Sequence, residues 1–282
     1  MQLLYLLRRG ELSAFYASVV GHVDHPLYPL AGLAPAAAQR LYAHLLGYES
    51  SSATMLRTMW VAASVFALAS AANVLLIYML ALKASGHRWE ALGAAFLAAC
   101  SNSLFYHSAR FLPYDVSLAL ALSALLLGLG APSARRSFAC GSLAALSVLT
   151  YTGYWFLAPV VLGAHTFGKG WLRRGAAAAA GFALPVVLLV GLGQYHTGGS
   201  YLRDLGSFAS QVTQGEFKEG WFIPFAYLWH SEHLFVLLLA AGAAAALIVE
   251  PRGKAPMWVG AAVTIYALLV LSSTALHKFV VY

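Results

Sequence analysis

The residues able to do acid–base or anion-binding chemistry in this chain fall in a few short segments. Residues 10–29, GELSAFYASVVGHVDHPLYP, hold Glu11, His22, Asp24 and His25 between Gly10 and two prolines. A second set, Tyr106, His107, Arg110, Tyr114 and Asp115, lies about ninety positions on, and His277 with Lys278 forms a third near the end. A fourth, residues 194–230, carries Arg203, Asp204, Glu216, Lys218, Glu219, Trp221 and His230. Carboxylates accept protons and cations stabilise negative charge, so these sets are where general-base or phosphate chemistry would sit.

The chain that must position them is strongly apolar. Of its 282 residues 61% are hydrophobic and 10% are charged, against about 25% charged in soluble domains. Uncharged runs approach the ~20 residues that a helix needs to cross a bilayer. The fold class expected is therefore all-α, a polytopic transmembrane helical bundle. The net charge of +7 does not point to nucleic acid, because the basic residues occupy short loops between apolar runs. Cys100 and Cys140 read as small packing residues. The N-terminus does not follow the secretory-signal pattern.

About eight spans are expected: 58–82, 91–109, 116–131, a hairpin of two short helices in 137–168, then 175–192, 234–249 and 256–275. The hairpin is inferred because its uncharged run is flanked by arginine and lysine at both ends, and it turns near Tyr151-Thr152-Gly153. Short helices at membrane depth must be covered by protein or line a wet cavity. Before the first span, residues 35–46 have apolar positions at helical spacing with Arg40 and His44 among them, the pattern of an interfacial helix. The chain divides into residues 1–56, a loop carrying that helix, and residues 57–282, a transmembrane domain with an external loop at 194–230.

Charge sets the orientation. Lys83, Arg88, Arg135, Arg136, Lys169, Arg173, Arg174, Arg252 and Lys254 lie in alternate loops. From residue 57 onward the opposite side has only Arg57, Arg110, Arg203, Lys218 and Lys278. The richer side is cytoplasmic. Residues 10–56, the 110–115 turn, the 194–230 loop and the tail then share the extracytoplasmic face, where convergent ionisable groups point to a site. A start on that face calls for a preceding span, so the sequence reads as lacking a first transmembrane helix and a C-terminal part.

Three segments carry a family resemblance. GELSAFYASVVGHVDHPLYPL resembles the Asp-Ser-Gly-Glu-Leu and His-Pro-x-x-Tyr-Pro-Leu loop of GT-C class glycosyltransferases that use polyprenyl-phosphate sugars, the protein O-mannosyltransferase-like and aminoarabinose-transferase-like membrane proteins of bacteria. FYHSARFLPYDVSLALAL is similar to their Tyr-Ser-x-x-Ala-Arg-x-Tyr segment, and LHKFVVY to the start of their late Lys-x-x-x-Tyr motif. Motif content is concentrated in residues 10–30 and 104–120; order and spacing make the combination more specific than any one motif.

The resemblance implies transfer of a sugar from a polyprenyl-phosphate carrier to a glycan, lipid or protein acceptor at the outer face of the bacterial inner membrane. Its implied partners are that lipid-linked sugar, its acceptor and membrane lipid, with no nucleic acid. In such a reaction a carboxylate takes the acceptor hydroxyl's proton. Glu11 matches the acid after glycine in the family loop, and Asp24 is the second candidate. Three positions before Glu11, where the family has an aspartate as the usual candidate base, this chain has Arg8. Either Glu11 or Asp24 takes that role, or the start of the sequence is displaced, or the chain is not catalytic.

Substrate-binding candidates are His25, Tyr28, Tyr106, Arg110, Tyr114, Asp115 and Lys278, with Arg110 and Lys278 directed at the carrier phosphate. Each has a plainer account: a turn aspartate for Asp24, helix-start packing for His25, a snorkelling arginine paired with Asp115 for Arg110, and a helix N-terminal acid for Asp115. No cofactor is certain: Glu216, Glu219, Trp221 and His230 could bind a sugar or a divalent metal, and no tight ligand spacing supports the metal. The rival functions are a transporter or lipid-carrier flippase, and a non-catalytic membrane scaffold.

Overall fold

The computed structural model describes residues 27–48, 52–101, 114–131, 133–151, 157–166, 170–196 and 223–249, together with residues 9–11 and scattered single positions. Among these every regular element is a helix, and no strand occurs. In chain order they are α1 (Tyr28–Ala31), α2 (Leu33–Leu45), α3 (Ser52–Arg57), α4 (Met59–Ser85), α5 (Arg88–Ala99) and α6 (Tyr114–Gly128). There follow α7 (Ala134–Thr150), α8 (Leu157–Thr166), α9 (Trp171–His196), α10 (Ile223–Glu232) and α11 (Leu234–Val249).

Two of these, α4 and α9, are long and apolar enough to cross a membrane. At 1.5 Å per residue each extends about 40 Å, against a hydrocarbon core of about 30 Å. Only 17% of the most apolar window of α4 and 11% of that of α9 is buried inside the protein. Trp60, Leu68, Leu75 and Met79 on α4, and Leu184, Val187, Leu188 and Leu192 on α9, face outward. A helix apolar on all sides is expected either in a large core or in lipid, and this exposure excludes the core. The span expected over 58–82 is α4, which runs three residues further to Ser85 and stops where Gly86 turns at φ +79° and donates to the Leu82 carbonyl.

The interfacial helix expected over 35–46 is α2, two residues earlier at its start. Gln39, buried beneath it, donates to the Met55 carbonyl at 2.7 Å and to Thr58 Oγ1 at 3.1 Å. Tyr42 meets Trp60 edge-on, with ring centroids 5.1 Å apart. These contacts tie α2 to the first turn of α4, near the end from which the polar N-terminal segment departs.

The hairpin expected in 137–168 is present as α7 and α8, which break at Tyr151. With α6 they form the packed centre: Ala124, Cys140, Ala144 and Val161 are buried together, and Leu125, Leu143 and Phe182 close over them. Cys140 thus packs as an apolar residue, whereas Cys100 is exposed at the end of α5; both are free thiols. Ser117 and Ser147, fully buried, each donate at 2.8 Å to the other's carbonyl across α6 and α7.

α7 and α9 approach so closely that a Cβ on Gly141 would overlap the Ala178 carbonyl, and one on Gly181 the Phe138 carbonyl. Small residues permit this backbone approach. Pro185 lies inside α9 and has no N–H for the carbonyl four residues back. That carbonyl belongs to Gly181, and Ser142 Oγ of α7 lies 3.1 Å from it and 3.1 Å from the Phe138 carbonyl of its own helix, so its one proton is shared between the two. The glycine crossing and the proline are therefore one local solution.

Of the span expected over 91–109, the described part is helical up to Ala99, and residues 102, 103 and 105–109 lie outside the described residues. Helix α5 begins at Arg88 and ends at Ala99, and Ser101 Oγ accepts from the Leu104 amide at 3.5 Å. Most of the span expected over 256–275 lies outside the described residues.

Candidate functional site

The richest polar junction among the described residues lies where α6 begins and α7 ends. Asp115 is in the first turn of α6, where the helix dipole favours an acid. Its side chain is buried, only 5% exposed. Ser70 Oγ of α4 donates to Asp115 Oδ2, and Asn73 Nδ2, one turn further along α4, donates to the Asp115 main-chain carbonyl at 3.0 Å. One residue before it, Tyr114 packs edge-on against Tyr151, centroids 4.6 Å apart at 88°. Tyr151 in turn meets Tyr154 at 5.2 Å and 90°.

The N-terminal segment arrives at the same junction. The Leu27 amide donates to the Leu149 carbonyl, in the last turn of α7, at 3.0 Å, and α1 packs beside it. Tyr28 opens α1, but its side chain lies outside the described residues. Segments about ninety residues apart, singled out separately in the sequence, thus meet at one corner.

The sequence assigns Asp115 to the outer rim, alongside the other polar sets. In the structure it lies beside Ser70, which is eleven positions beyond Met59, about 16 Å along α4.

The opposite end of α6 has the opposite chemistry. Lys83 Nζ donates to the Leu126 carbonyl at 3.3 Å, and Arg136 Nη1 to the Ala131 carbonyl at 3.4 Å. Ser133 caps α7 by accepting from the Arg136 amide at 3.2 Å. Lys83 and Arg136, two of the basic residues used to orient the chain, therefore lie at the end of α6 away from Asp115 and the tyrosines.

The end of the long polar stretch meets the end of α5: Ser101 Oγ donates to Glu232 Oε1 at 2.9 Å. His230 is exposed on α10, while Glu216, Glu219 and Trp221 lie outside the described residues. No three histidine, cysteine or acidic side chains converge in a way that would hold a metal ion among the described residues.

Of the catalytic candidates, Glu11 is exposed and sits 3.9 Å from Arg9 Nη1, a surface ion pair. Asp24, His25, Tyr106, Arg110 and Lys278 lie outside the described residues. Tyr114 and Asp115 are brought together with the end of the N-terminal segment; Glu11 is not among the residues joined at that corner. Sequence reasoning missed Ser70, Asn73 and Tyr154. A signal existed for Asn73, the one amide within the apolar 59–85 helix.

No family model matches the chain, and neither a curated protein nor a solved structure is detectably similar to it.

Proposed function

We propose that this protein is a membrane glycosyltransferase of the GT-C type. It moves a sugar from a polyprenyl-phosphate carrier to an acceptor hydroxyl at the extracytoplasmic face of a bacterial inner membrane, within a bundle of about eight spans. The observation that carries the reading is the junction at Leu149–Tyr151. The two segments with the most motif content, residues 10–30 and 104–120, contribute Leu27 and Tyr114 to it. Their convergence is independent of the resemblance that singled them out.

In this reading Glu11 or Asp24 takes the proton of the acceptor hydroxyl. Arg110 and Lys278 face the charge developing on the leaving phosphate. Asp115 accepts hydrogen bonds from the donor sugar. The test is the full chain in liposomes with a labelled polyprenyl-phosphate sugar and a panel of hydroxyl-bearing glycan, lipid and peptide acceptors. The expected result is release of polyprenyl phosphate, reduced about a hundredfold or more in the variant lacking the true base, Glu11→Gln or Asp24→Asn. No turnover across a panel of such donors overturns the reading.

A transporter or lipid flippase is the second reading, and Asp115 is what favours it. A carboxylate buried about 16 Å along a spanning helix is what a transport path places there. Carrier translocation without sugar transfer, abolished in Asp115→Asn, would select it.

A further inference from the structure

We infer that Ser70 and Asn73 are positioning residues that set Asp115 for the donor sugar; this rests on the transferase reading. α4 is apolar nearly throughout, yet it turns these two polar side chains, one helical turn apart, into the bundle. Both reach the same residue of another helix: Ser70 Oγ holds the Asp115 carboxylate and Asn73 Nδ2 its carbonyl. Side chain and main chain of Asp115 are thus held from one rigid element. The adjacent Tyr114 carries that register on to Tyr151 and the Leu27–Leu149 contact.

Asn73 is the more informative of the two. It is fully buried, and its Oδ1 has no hydrogen-bond partner. A buried carbonyl oxygen without a partner is destabilising. An amide chosen only to join α4 to α6 would not carry that cost, since an apolar side chain would pack there without it. Such a local violation of good packing marks a residue retained for function.

The experiment uses the full chain in liposomes with a labelled polyprenyl-phosphate sugar and the same hydroxyl-bearing acceptor panel, measuring kcat, KM and Tm for wild type, Ser70→Ala, Ser70→Thr and Asn73→Ala. Asn73→Ala removes both the positioning N–H and the orphaned oxygen. Its Tm is expected at or above that of wild type, while kcat falls about tenfold or more through misplacement of the sugar. KM changes little, because the lipid and phosphate still bind elsewhere. Ser70→Ala lowers kcat in the same way, and Ser70→Thr, which keeps the hydroxyl, recovers most of it. Wild-type kcat in both alanine variants overturns this inference and leaves the transferase reading standing. A kcat loss that follows Tm, with no recovery in Ser70→Thr, makes the pair merely structural and also overturns it. No turnover by wild type overturns the transferase reading and this inference with it.

Discussion

Ser142 and Pro185 frame the chemistry at the level of single residues. Pro185 leaves the Gly181 carbonyl without its helical donor, and Ser142 Oγ, its proton shared with the Phe138 carbonyl, replaces it in part from the neighbouring helix. Removing that hydroxyl orphans the carbonyl, so Ser142→Ala is expected to cost about 1–2 kcal/mol. In a Pro185→Ala background the restored N–H satisfies Gly181, and the same substitution costs little. A double-mutant cycle read by thermal unfolding checks this; equal costs in both backgrounds would contradict it. Ser117 and Ser147, which exchange hydroxyl-to-carbonyl bonds across α6 and α7, should show a coupling of about 0.5–1.5 kcal/mol in a similar cycle. Proline and glycine are visible in the sequence, but the serine that compensates is forty-three positions away and has no local signature. The same is true of Ser70 and Asn73: an isolated polar residue in an apolar run reads as tolerated packing until a partner helix is known.

At the level of elements, apolar length and turn chemistry made much of the helix pattern legible. The interfacial helix, the first span, the break at Tyr151 and residues 234–249 all correspond to described helices with ends shifted by few residues. Hydropathy carried no information on which helices pair, so the contact of Ser70 and Asn73 on α4 with Asp115 at the start of α6 was not legible. The crossing of α7 and α9 is the most sensitive element contact. A Cβ at Gly141 meets the α9 main chain, which cannot move aside as a flexible side chain would. Gly141→Val is expected to destabilise by about 3 kcal/mol or more, whereas the same change at Gly93, where a Cβ meets nothing within 4 Å, should cost under about 1 kcal/mol. Comparable melting temperatures for the two variants would refute the close crossing.

For the whole molecule, the separation of chemistry between the two ends is the organising fact. Lys83 and Arg136 bind main-chain carbonyls at one end of α6, while Asp115, the tyrosines and the N-terminal segment meet at the other. If the basic end is cytoplasmic, a cysteine placed at exposed Tyr48 in a chain lacking Cys100 and Cys140 should react with a membrane-impermeant maleimide from outside intact cells. One placed at exposed Arg135 should react only after permeabilisation; the reverse pattern would invert the proposed active face.

The central claim is chemical transfer at that face, and it is tested most directly by incubating the liposome-reconstituted full chain with labelled polyprenyl-phosphate sugars and hydroxyl-bearing glycan, lipid and peptide acceptors, then separating free carrier from sugar-bearing product. The account predicts carrier release coupled to sugar transfer, with loss in Glu11→Gln or Asp24→Asn and a kcat-borne loss in Asn73→Ala. Intact donor throughout, or donor that crosses the bilayer with its sugar still attached, would contradict it.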